Sequence, residues 1–334
     1  MNIRERLEEN EKKLLSPFAT LAANTKGRKF PSEKCEIRTE YQRDRDKIIH
    51  SKAFRRLKHK TQVFIAPDGD HFRTRLTHTL EVAQIARTIA RSLMLNEDLT
   101  EAMALGHDLG HTPFGHSGER MLNDLCAGGF KHNEQSVRVC ELLEDGKGLN
   151  LTFEVLDGIA HHTGSEMPET LEGQILRYAD RIAYINHDID DALRAKIIKT
   201  TDLPKDCIDV LGDTHAKRID TMIKDIIRTS TEKPEIKMSE NVQKAMDNLR
   251  KYMFDNVYIV GDQRSTEEWK AKRIIKSLFE YFTEYPEEVP FYKELKDKGF
   301  TVEEMVTDYI AGMTDQYAIY VYTKIFIPKS IDKM

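Results

Sequence analysis

Apolar residues recur at intervals of three and four positions along most of the chain, a spacing typical of helices that bury one face. The pattern is clearest over residues 75–95 and 172–198. Alternation of apolar and polar residues, which would indicate strands, is scarce. The sequence therefore predicts an all-α protein. Shorter helices are predicted over 2–15, 40–58, 97–109, 117–126, 133–144, 151–161, 205–229, 237–256, 264–284, 301–316 and 317–325.

Two local signals refine this pattern. Asn96 is predicted to cap the helix 97–109, because acidic residues follow it in the first turn and Gly110 can end the helix. Residues 62–73 are predicted to form one hairpin, because PDGD is a turn signal between two short β-prone runs.

Connecting segments divide the predicted helices into three parts. PSEKCEI near residue 31 ends an N-terminal helix and connection, residues 1–35. Residues 36–200 are predicted to form one helical body. Residues 201–334 are predicted to form a helical C-terminal portion packed on that body.

Composition is typical of a soluble globular protein. The 334 residues are 40% hydrophobic and 32% charged, as in ordinary folded domains. No apolar run is long enough to span a bilayer, and the charged N-terminus lacks the apolar core of a signal peptide. The four cysteines are scattered without a CxxC pair, which predicts reduced thiols, no disulfide framework and no thiolate metal site. A cytoplasmic location is expected.

The net charge of −5 is unevenly distributed. Residues 26–75 hold fifteen Lys and Arg against seven Asp and Glu, so this basic segment carries +8 and the remainder of the chain carries −13. A basic segment in an acidic protein can attract phosphate groups. The alternative is an ordinary solvated helix face, and charge alone leaves both interpretations open.

Histidines are concentrated in one short stretch. The sequence ALGHDLGHTPFGH, residues 104–116, contains His107, His111 and His116 around Asp108. His107 and Asp108 are adjacent at a predicted helix end, so their side chains point about 100° apart. They can share one ion if other elements close its far side.

His78 and Asp180 are the candidates to close that side. His78 lies on the same helical face as Val82 and Ile89, so its side chain is predicted to point toward the core. Asp180 interrupts an otherwise apolar helix face, and a buried carboxylate is costly unless it is paired or bound to metal. Taken singly, His78 is better explained as a core histidine with a satisfied hydrogen bond and Asp180 as an exposed or capping residue.

Taken together, the H…HD…D pattern supplies two imidazoles and two carboxylates from three helices. The predicted metal ligands are His78, His107, Asp108 and Asp180. This donor set suits a divalent ion of intermediate hardness with positions left for water. Manganese or magnesium is the expected cofactor, with iron, cobalt, nickel and zinc as the alternatives.

The pattern resembles the signature of HD-domain metal-dependent phosphohydrolases, which alone implies only a phosphate-ester hydrolase and the HD-domain helical fold with additional C-terminal helices. Flanking segments are similar to the deoxyguanosinetriphosphate triphosphohydrolase-like proteins, a bacterial dNTPase family related to the eukaryotic dNTPase with SAM and HD domains. The resemblance covers about residues 36–320. Its segments are YQRDRDKIIHSKAFRRLKHKTQVF (41–64), GDHFRTRLTHTLEVAQIARTIAR (69–91), GHDLGHTPFGHSGE (106–119) and YIAGMTDQYA (309–318).

The resemblance implies hydrolysis of a dNTP to the deoxynucleoside and inorganic triphosphate, with water attacking the α-phosphorus. His116 and Glu119 match the family's catalytic histidine and its acidic partner. They share a face if a helix begins at Gly115, so the carboxylate can orient the imidazole. His111 and His132 resemble further active-site histidines near the α-phosphate.

Other residues are assigned to the substrate. Arg75 lies three residues before His78 on the same face, so its guanidinium can reach a bound phosphate. The resemblance implies that Tyr184 contacts C2′ of the deoxyribose, where a 2′-hydroxyl would clash, and that Asp188 binds the 3′-hydroxyl. The remaining candidates are Gln62 and Val63 for the sugar, Arg181 for phosphate, and His161 and His162, which either line the cleft or cap a helix.

Two other functions stay open at this point. One is a different HD phosphohydrolase, such as a 5′-nucleotidase or a cyclic-nucleotide phosphodiesterase. The other is a weakly catalytic nucleotide sensor or single-stranded nucleic-acid binder that uses the basic segment, although a pure binder needs neither the metal ligands nor the pair of His116 and Glu119. The family also implies a homo-oligomer (dimer, tetramer or hexamer). A dNTP activator is a further partner to test, and no membrane partner is expected.

Overall fold

The computed structural model of the chain describes residues 1–62, 73–258 and 262–328. These ranges contain sixteen α-helices and no strand, which confirms the predicted all-α class. The helices are α1 Ile3–Leu14, α2 Glu40–Ile49, α3 Lys52–Arg56, α4 Arg75–Ser92, α5 Glu97–Gly106, α6 Gly115–Leu125, α7 His132–Arg138, α8 Phe153–Ala160, α9 Leu171–Arg194, α10 Lys205–Leu211, α11 His215–Ser230, α12 Glu240–Met253, α13 Asp262–Glu284, α14 Tyr292–Asp297, α15 Val302–Ala311 and α16 Asp315–Phe326.

The two clearest periodic stretches form the long helices α4 and α9. Thr74 caps α4, because its hydroxyl accepts the backbone N–H of Thr77 at 3.5 Å. Thr170 caps α9 in the same way, accepting the N–H of Gly173 at 3.0 Å. Both helices follow the preference for a hydroxyl side chain at the N-cap position.

Two predicted helices are each divided in two. The predicted helix 40–58 breaks before α3 because Ser51 has extended backbone and accepts the N–H of Phe54 at 3.0 Å as a new cap. The predicted helix 205–229 breaks at Gly212, whose φ of 113° is a conformation that side chains rarely permit. The pattern does not predict α14.

Helix α5 starts where the sequence predicts but ends earlier. Asn96 caps α5 as predicted, because its side chain accepts a backbone N–H of the first turn at 3.1 Å. The helix ends at Gly106, earlier than predicted, because residues 107–110 form a turn. The predicted hairpin lies largely outside the described residues. Its flanking residues Thr61 and Thr74 form an isolated antiparallel bridge.

Two hydrophobic cores organise the fold. The first core is built by α2 to α5 and α8 to α12, and the second by α6, α13, α15 and α16. Residues 203–257 contribute to the first core, although the sequence assigns them to the C-terminal portion. The predicted division at residue 200 therefore separates helices that share a core, and it stays a prediction.

The segment between α5 and α6 crosses from the first core to the second. Leu109 belongs to the first core and Phe114 to the second. This crossing places the histidine-rich stretch at the junction of the two cores. In the described ranges no helix is long and apolar enough to cross a membrane, and the four cysteines are free thiols.

Candidate active site

Helix α4 contributes two polar side chains to a buried site. Arg75 and His78 lie one turn apart on α4, and their exposed fractions are 2% and 1%. Val82 and Ile89 continue the same face into the first core. The predicted inward orientation of His78 is therefore confirmed.

The turn after α5 presents His107 and Asp108. His107 Nδ1 lies 2.7 Å from the carbonyl oxygen of Ala104 and donates its proton there, which turns Nε2 toward the site. Ser136 donates to the carbonyl of His107 at 2.7 Å and accepts the N–H of Gly110 at 2.9 Å. A Cβ at Gly110 would lie 2.2 Å from the backbone nitrogen of Ser136, so this position requires glycine.

Helix α9 brings Asp180 to the same place. His78 Nε2 lies 3.1 Å from Asp180 Oδ1, and His107 Nε2 lies 3.8 Å from that oxygen. Asp108 Oδ2 lies 3.7 Å from His107 Nε2 and 4.0 Å from His78 Nε2. The four predicted metal ligands thus meet in one cluster, which we call the central cluster.

The central cluster fits a divalent ion. His107 Nε2 is buried and has no hydrogen-bond partner within the described ranges, so its lone pair faces the two carboxylates unsatisfied. Burial raises the pKa of Asp108, but the charge of Arg75 and the nearby histidines outweigh it and hold that pKa well below its usual value. Burial is likewise outweighed at Asp180, whose pKa the hydrogen bond from His78 helps to lower. Two ionised carboxylates beside two imidazoles are a donor set for a mid-row divalent ion.

Arg75 hydrogen-bonds a carboxylate of the central cluster. Its Nη1 donates to Asp108 Oδ2 at 2.7 Å, while Nε and Nη2 are buried without hydrogen-bond partners among the residues described. A Cβ built on Gly115 would lie 3.6 Å from Arg75 Nη2 and 3.2 Å from the carbonyl of Gln62. The side-chain oxygen of Gln62 is also buried without a partner there. Val63 lies outside the described residues.

A chain of polar side chains lies behind His78. His187 Nδ1 is 3.4 Å from His78 Nδ1, and His187 Nε2 is 3.1 Å from Glu81 Oε2. Arg73 in turn donates to Glu81 at 3.2 Å. Sequence reasoning missed His187, although it follows Asp180 by seven residues and therefore shares its face of α9 two turns later.

Helix α6 begins at Gly115 and carries the predicted pair of His116 and Glu119. Glu119 Oε1 accepts the backbone N–H of His132 at 2.9 Å and its Nδ1–H at 2.7 Å. Glu119 Oε2 lies 3.5 Å from His116 Nδ1 and 3.8 Å from His111 Nε2. Three histidines therefore surround one carboxylate. The side chain of His116 is 66% exposed, whereas that of His111 is buried.

The charges in this group reinforce each other. Burial raises the pKa of Glu119, but hydrogen bonds from His116 and His132 outweigh it and hold that pKa well below the usual range. Burial lowers the pKa of His132, but the hydrogen bond and charge of Glu119 outweigh it and raise that pKa. Burial, with the charges of Arg75 and His132, keeps the pKa of His111 well below its usual value. A charged pair of Glu119 and His132 therefore sits beside a neutral His111.

His162 is a site residue that the sequence left undecided. Its Nδ1 donates to a carbonyl of α8 at 2.7 Å, and its Nε2 lies 3.1 Å from His132 Nε2. The His162 ring lies 5.0 Å from the ring of His107, centroid to centroid. It therefore joins the central cluster to the Glu119 group. His161 instead hydrogen-bonds Asp157 at 2.8 Å.

The sugar-contact candidates continue the Asp180 face of α9. Tyr184 lies one turn after Asp180, partly buried beside Arg250 of α12, and burial raises the pKa of Tyr184 to about 12. Asp188 is buried one further turn along α9, and Arg181, which directly follows Asp180, is partly exposed.

The second core holds the turn through two residues to which the sequence assigned no such role. Asp315, at the start of α16, accepts the N–H of Thr61 at 3.0 Å and that of Phe114 at 2.9 Å. Lys60 Nζ is buried and donates to a carbonyl of the turn and, at 2.9 Å, to the carbonyl of Ala311. Burial lowers the pKa of Lys60 to about 7.

Comparison with known protein families agrees with this geometry. The HD domain matches residues 75–185, and the phosphohydrolase-associated domain matches residues 236–324. The first match runs from α4 into α9 and includes the whole central cluster. The fold and the site thus define an HD-domain phosphohydrolase.

Relatives narrow the class to one family. A deoxyguanosinetriphosphate triphosphohydrolase-like protein of Caldanaerobacter subterraneus subsp. tengcongensis is 60% identical over 98% of this chain and 97% of its own length. A protein of the same description from Clostridium tetani is 49% identical over 99% of this chain and 98% of its own length. This chain belongs to the deoxyguanosinetriphosphate triphosphohydrolase-like family. A solved phosphohydrolase from Bacteroides thetaiotaomicron, 18% identical with a TM-score of 0.53, covers 84% of this chain and 67% of its own and shares the fold.

Proposed function

We propose that this chain is a metal-dependent dNTP triphosphohydrolase. In that reaction a water oxygen bonds to the α-phosphorus, the bond from phosphorus to the 5′-oxygen breaks, and the 5′-oxygen gains a proton, leaving a deoxynucleoside and inorganic triphosphate. The observation that carries the proposal is the buried guanidinium of Arg75, whose Nε and Nη2 have no partners within the described part of the chain. Free guanidinium donors beside a metal-type cluster suit phosphate oxygens.

The central cluster would hold the divalent ion. Its ligands would be His78, His107, Asp108 and Asp180. The ion, when bound, supplies positive charge for the α-phosphate and lowers the pKa of water. The unpartnered Nε2 of His107 and the short separations between the donor atoms support this assignment. Manganese or magnesium is the proposed ion, and iron, cobalt, nickel and zinc are the alternatives.

Proton transfer to the leaving 5′-oxygen falls to His116 in this proposal. Its exposed imidazole lies one helical turn before Glu119, so it can meet a substrate while the carboxylate orients it. His132 keeps Glu119 ionised and fixed through two hydrogen bonds. His111, neutral and buried, is the candidate to hydrogen-bond the α-phosphate alongside His132.

Selection of a deoxyribose falls to α9 and to the segment before α4. Tyr184 would pack against C2′, because a sugar linked through its α-phosphate to the Asp180 end of α9 lies one turn from the ring. Asp188 would accept the 3′-hydroxyl, Gln62 and Val63 would contact the sugar, and Arg181 would contact phosphate. The buried, unpartnered Oε1 of Gln62 supports its part in this assignment.

The nucleic-acid binder is the less favoured function. Among the described residues, eight of the fifteen cations of the basic segment form ion pairs within the protein, so they offer less positive charge to a polyanion. The paired residues are Lys26, Arg28, Arg38, Arg43, Arg45, Lys52, Arg73 and Arg75. A different HD phosphohydrolase would give other products, so product analysis distinguishes it from the proposed enzyme.

The cellular setting follows from the family. We expect a cytoplasmic homo-oligomer (dimer, tetramer or hexamer), and a dNTP activator is a further partner to test. A monomeric mass by light scattering at working concentration would contradict the oligomer.

Product analysis tests the proposal. The enzyme is incubated with each of the four dNTPs and with manganese, magnesium, cobalt or zinc, and chromatography separates the nucleoside from nucleotides and the phosphate chains. We expect deoxynucleoside and triphosphate with at least one pair, and no product from Asp108→Asn, which lacks a cluster carboxylate. The exposed Asp124→Asn on α6 is the matched control. Nucleoside monophosphate with pyrophosphate, or no turnover of any dNTP, would contradict the proposal.

A further inference from the structure

A cavity of about 820 Å³ lies between the two cores, against the turn that carries Asp108. Leu109 and Gly110 form its wall on the first-core side, and Met305 and Met313 form part of the wall on the second-core side. None of the described residues assigned above to the metal, the proton or the substrate lines it. It is therefore a separate compartment, which meets the turn of the active site at Leu109 and Gly110.

The lining suits the body of a small, flat molecule. Four aromatic rings border the cavity, including Phe291, Phe300 and the pair of Tyr309 and Tyr317. The two tyrosine hydroxyls lie 3.1 Å apart and hydrogen-bond each other, so they present ring faces rather than free polar groups. A volume of this size is typical of sites for drug-sized ligands, which are mostly apolar with a few placed polar groups.

One cation in the cavity makes no hydrogen bond or ion pair among the residues described. Lys52 pairs with Asp145 at 2.7 Å, and Lys298 donates to a backbone carbonyl at 3.2 Å. Arg56 is partly buried and makes no hydrogen bond or ion pair with any residue that the structure describes. The nearby carboxylate of Glu144 attracts it electrostatically but makes no hydrogen bond to it, and the Glu144 oxygens accept the N–H groups of Lys52 at 2.6 Å and Ala53 at 3.2 Å. An arginine in this position can bind one anionic group.

The surrounding charge sets a limit on that anion. Three cationic side chains line the cavity, namely Lys52, Arg56 and Lys298, against four carboxylates including Glu144 and Asp308. Asp145 is paired with Lys52 and Asp308 with Arg138, so a polyphosphate would meet no excess of positive charge there, whereas a single anionic group would meet Arg56. The cavity thus favours a monoanion over a nucleoside triphosphate.

We propose that this cavity binds a flat, largely apolar small molecule bearing one anionic group, with its ring body among the aromatic side chains and its anion on Arg56. The inference rests on the fold and not on the proposed function. Its occupant acts on the active site through two links. In the first link, the N–H of Gly110 donates to the hydroxyl of Ser136, which itself donates to the carbonyl of His107. In the second link, Lys60 donates to the carbonyl of Ala311 and to the carbonyl of His111 in the turn.

Two dyes with one ring system test the proposal without any turnover. The probes are 1-anilinonaphthalene-8-sulfonate, which is a monoanion, and N-phenyl-1-naphthylamine, its uncharged counterpart, and fluorescence titration measures their affinities. Arg56→Gln should weaken the sulfonate about tenfold and leave the neutral dye within about twofold. Leu142→Trp, at a cavity residue that is 38% exposed, should weaken both dyes by filling the space. Arg55→Gln, which removes an exposed neighbour bonded to a backbone carbonyl, should change neither.

Three outcomes would overturn the site. These are sulfonate binding that is unchanged in Arg56→Gln, dye binding that is unchanged in Leu142→Trp, and the absence of saturable binding to the native protein. Dye affinity that falls as the protein concentration rises would assign the cavity to a second copy of the chain instead. The link to the turn is read by amide hydrogen exchange of residues 107–114, which should slow with the sulfonate in the native protein and not in Arg56→Gln. Unchanged exchange would overturn that link.

Discussion

Glu119 and His132 are joined twice through one carboxylate oxygen. Oε1 accepts the backbone N–H of His132 at 2.9 Å and its Nδ1–H at 2.7 Å. Because both bonds end on Oε1, Oε2 is left to face His116 at 3.5 Å and His111 at 3.8 Å. Sequence spacing pairs Glu119 with His116, whereas the fold joins it more closely to His132. One carboxylate therefore positions three imidazoles.

Replacing Glu119 by Gln should shift the pH dependence of activity toward acid. Glu119 raises the pKa of His132, so without its charge the imidazolium loses its proton at a lower pH. The alkaline limb of the kcat/KM profile should therefore move to lower pH. The matched control is Glu134→Gln, which removes an exposed carboxylate paired with Lys131 on α7. An alkaline limb that stays in place would mean that His132 does not act in its charged form.

Replacing His116 by Ala should lower kcat by roughly 10²–10⁴, the range for a lost general acid or base. The variant should keep its metal and its affinity for dNTP, because the exposed side chain contacts no member of the central cluster. Steady-state kinetics, metal analysis and substrate titration measure these three properties. His59→Ala, at an exposed histidine elsewhere, is the control. Near-native kcat would transfer the proton role to His111 or His132.

Replacing His187 by Ala should weaken metal affinity by about 10- to 100-fold, the usual effect of losing a partner behind a ligand. His78 Nε2 lies 3.1 Å from Asp180 without the ion. In the metal-binding tautomer the Nδ1–H of His78 would donate to His187 Nδ1 at 3.4 Å, which would leave the lone pair of His78 Nε2 for the metal. Chelator competition on the native chain measures the metal Kd. His187→Asn keeps an acceptor near Nδ1 and should restore most of the affinity. His215→Ala removes only the ring stacked on the far side of His187 and should have little effect. Native affinity in His187→Ala would contradict this role.

Tyr184 should account for preference against ribonucleotides. A 2′-hydroxyl at the ring would need space and a hydrogen-bond partner. Because the site would offer neither, a ribonucleotide should be turned over more slowly than the matching deoxyribonucleotide. The ratio of kcat/KM for dGTP to that for GTP should therefore fall by about tenfold or more in Tyr184→Ala. Tyr184→Phe keeps the ring and should keep the ratio. Equal turnover of GTP and dGTP by the native enzyme would refute the assignment.

Periodicity predicts most helices because each buries one face against a core. The central cluster is predictable for the same reason, since His78 and Asp180 stand on apolar helical faces and the pair of His107 and Asp108 ends a helix. The helix breaks at Ser51 and Gly212 depend on local capping residues, and the spacing of apolar residues does not predict these.

Packing decides the remaining site residues. His162 reaches the site only because its Nδ1 bonds a carbonyl of α8, and the AHHTG sequence does not distinguish it from His161. Asp315 lies 201 positions after Phe114 and 254 positions after Thr61, and its hydrogen bonds with both backbones hold the turn. No local pattern can predict such a contact. The spacing of His187 from Asp180 is a readable signal, but only once α9 is known to face the cluster.

Turnover of dGTP in ¹⁸O-labelled water with manganese tests the central claim most directly, because it reports which atom the water attacks. Mass spectrometry of the products locates the label. The account predicts ¹⁸O in inorganic triphosphate and none in deoxyguanosine. Label in pyrophosphate, orthophosphate or a deoxyguanosine nucleotide, or in the 5′-hydroxyl of deoxyguanosine, would contradict attack at the α-phosphorus.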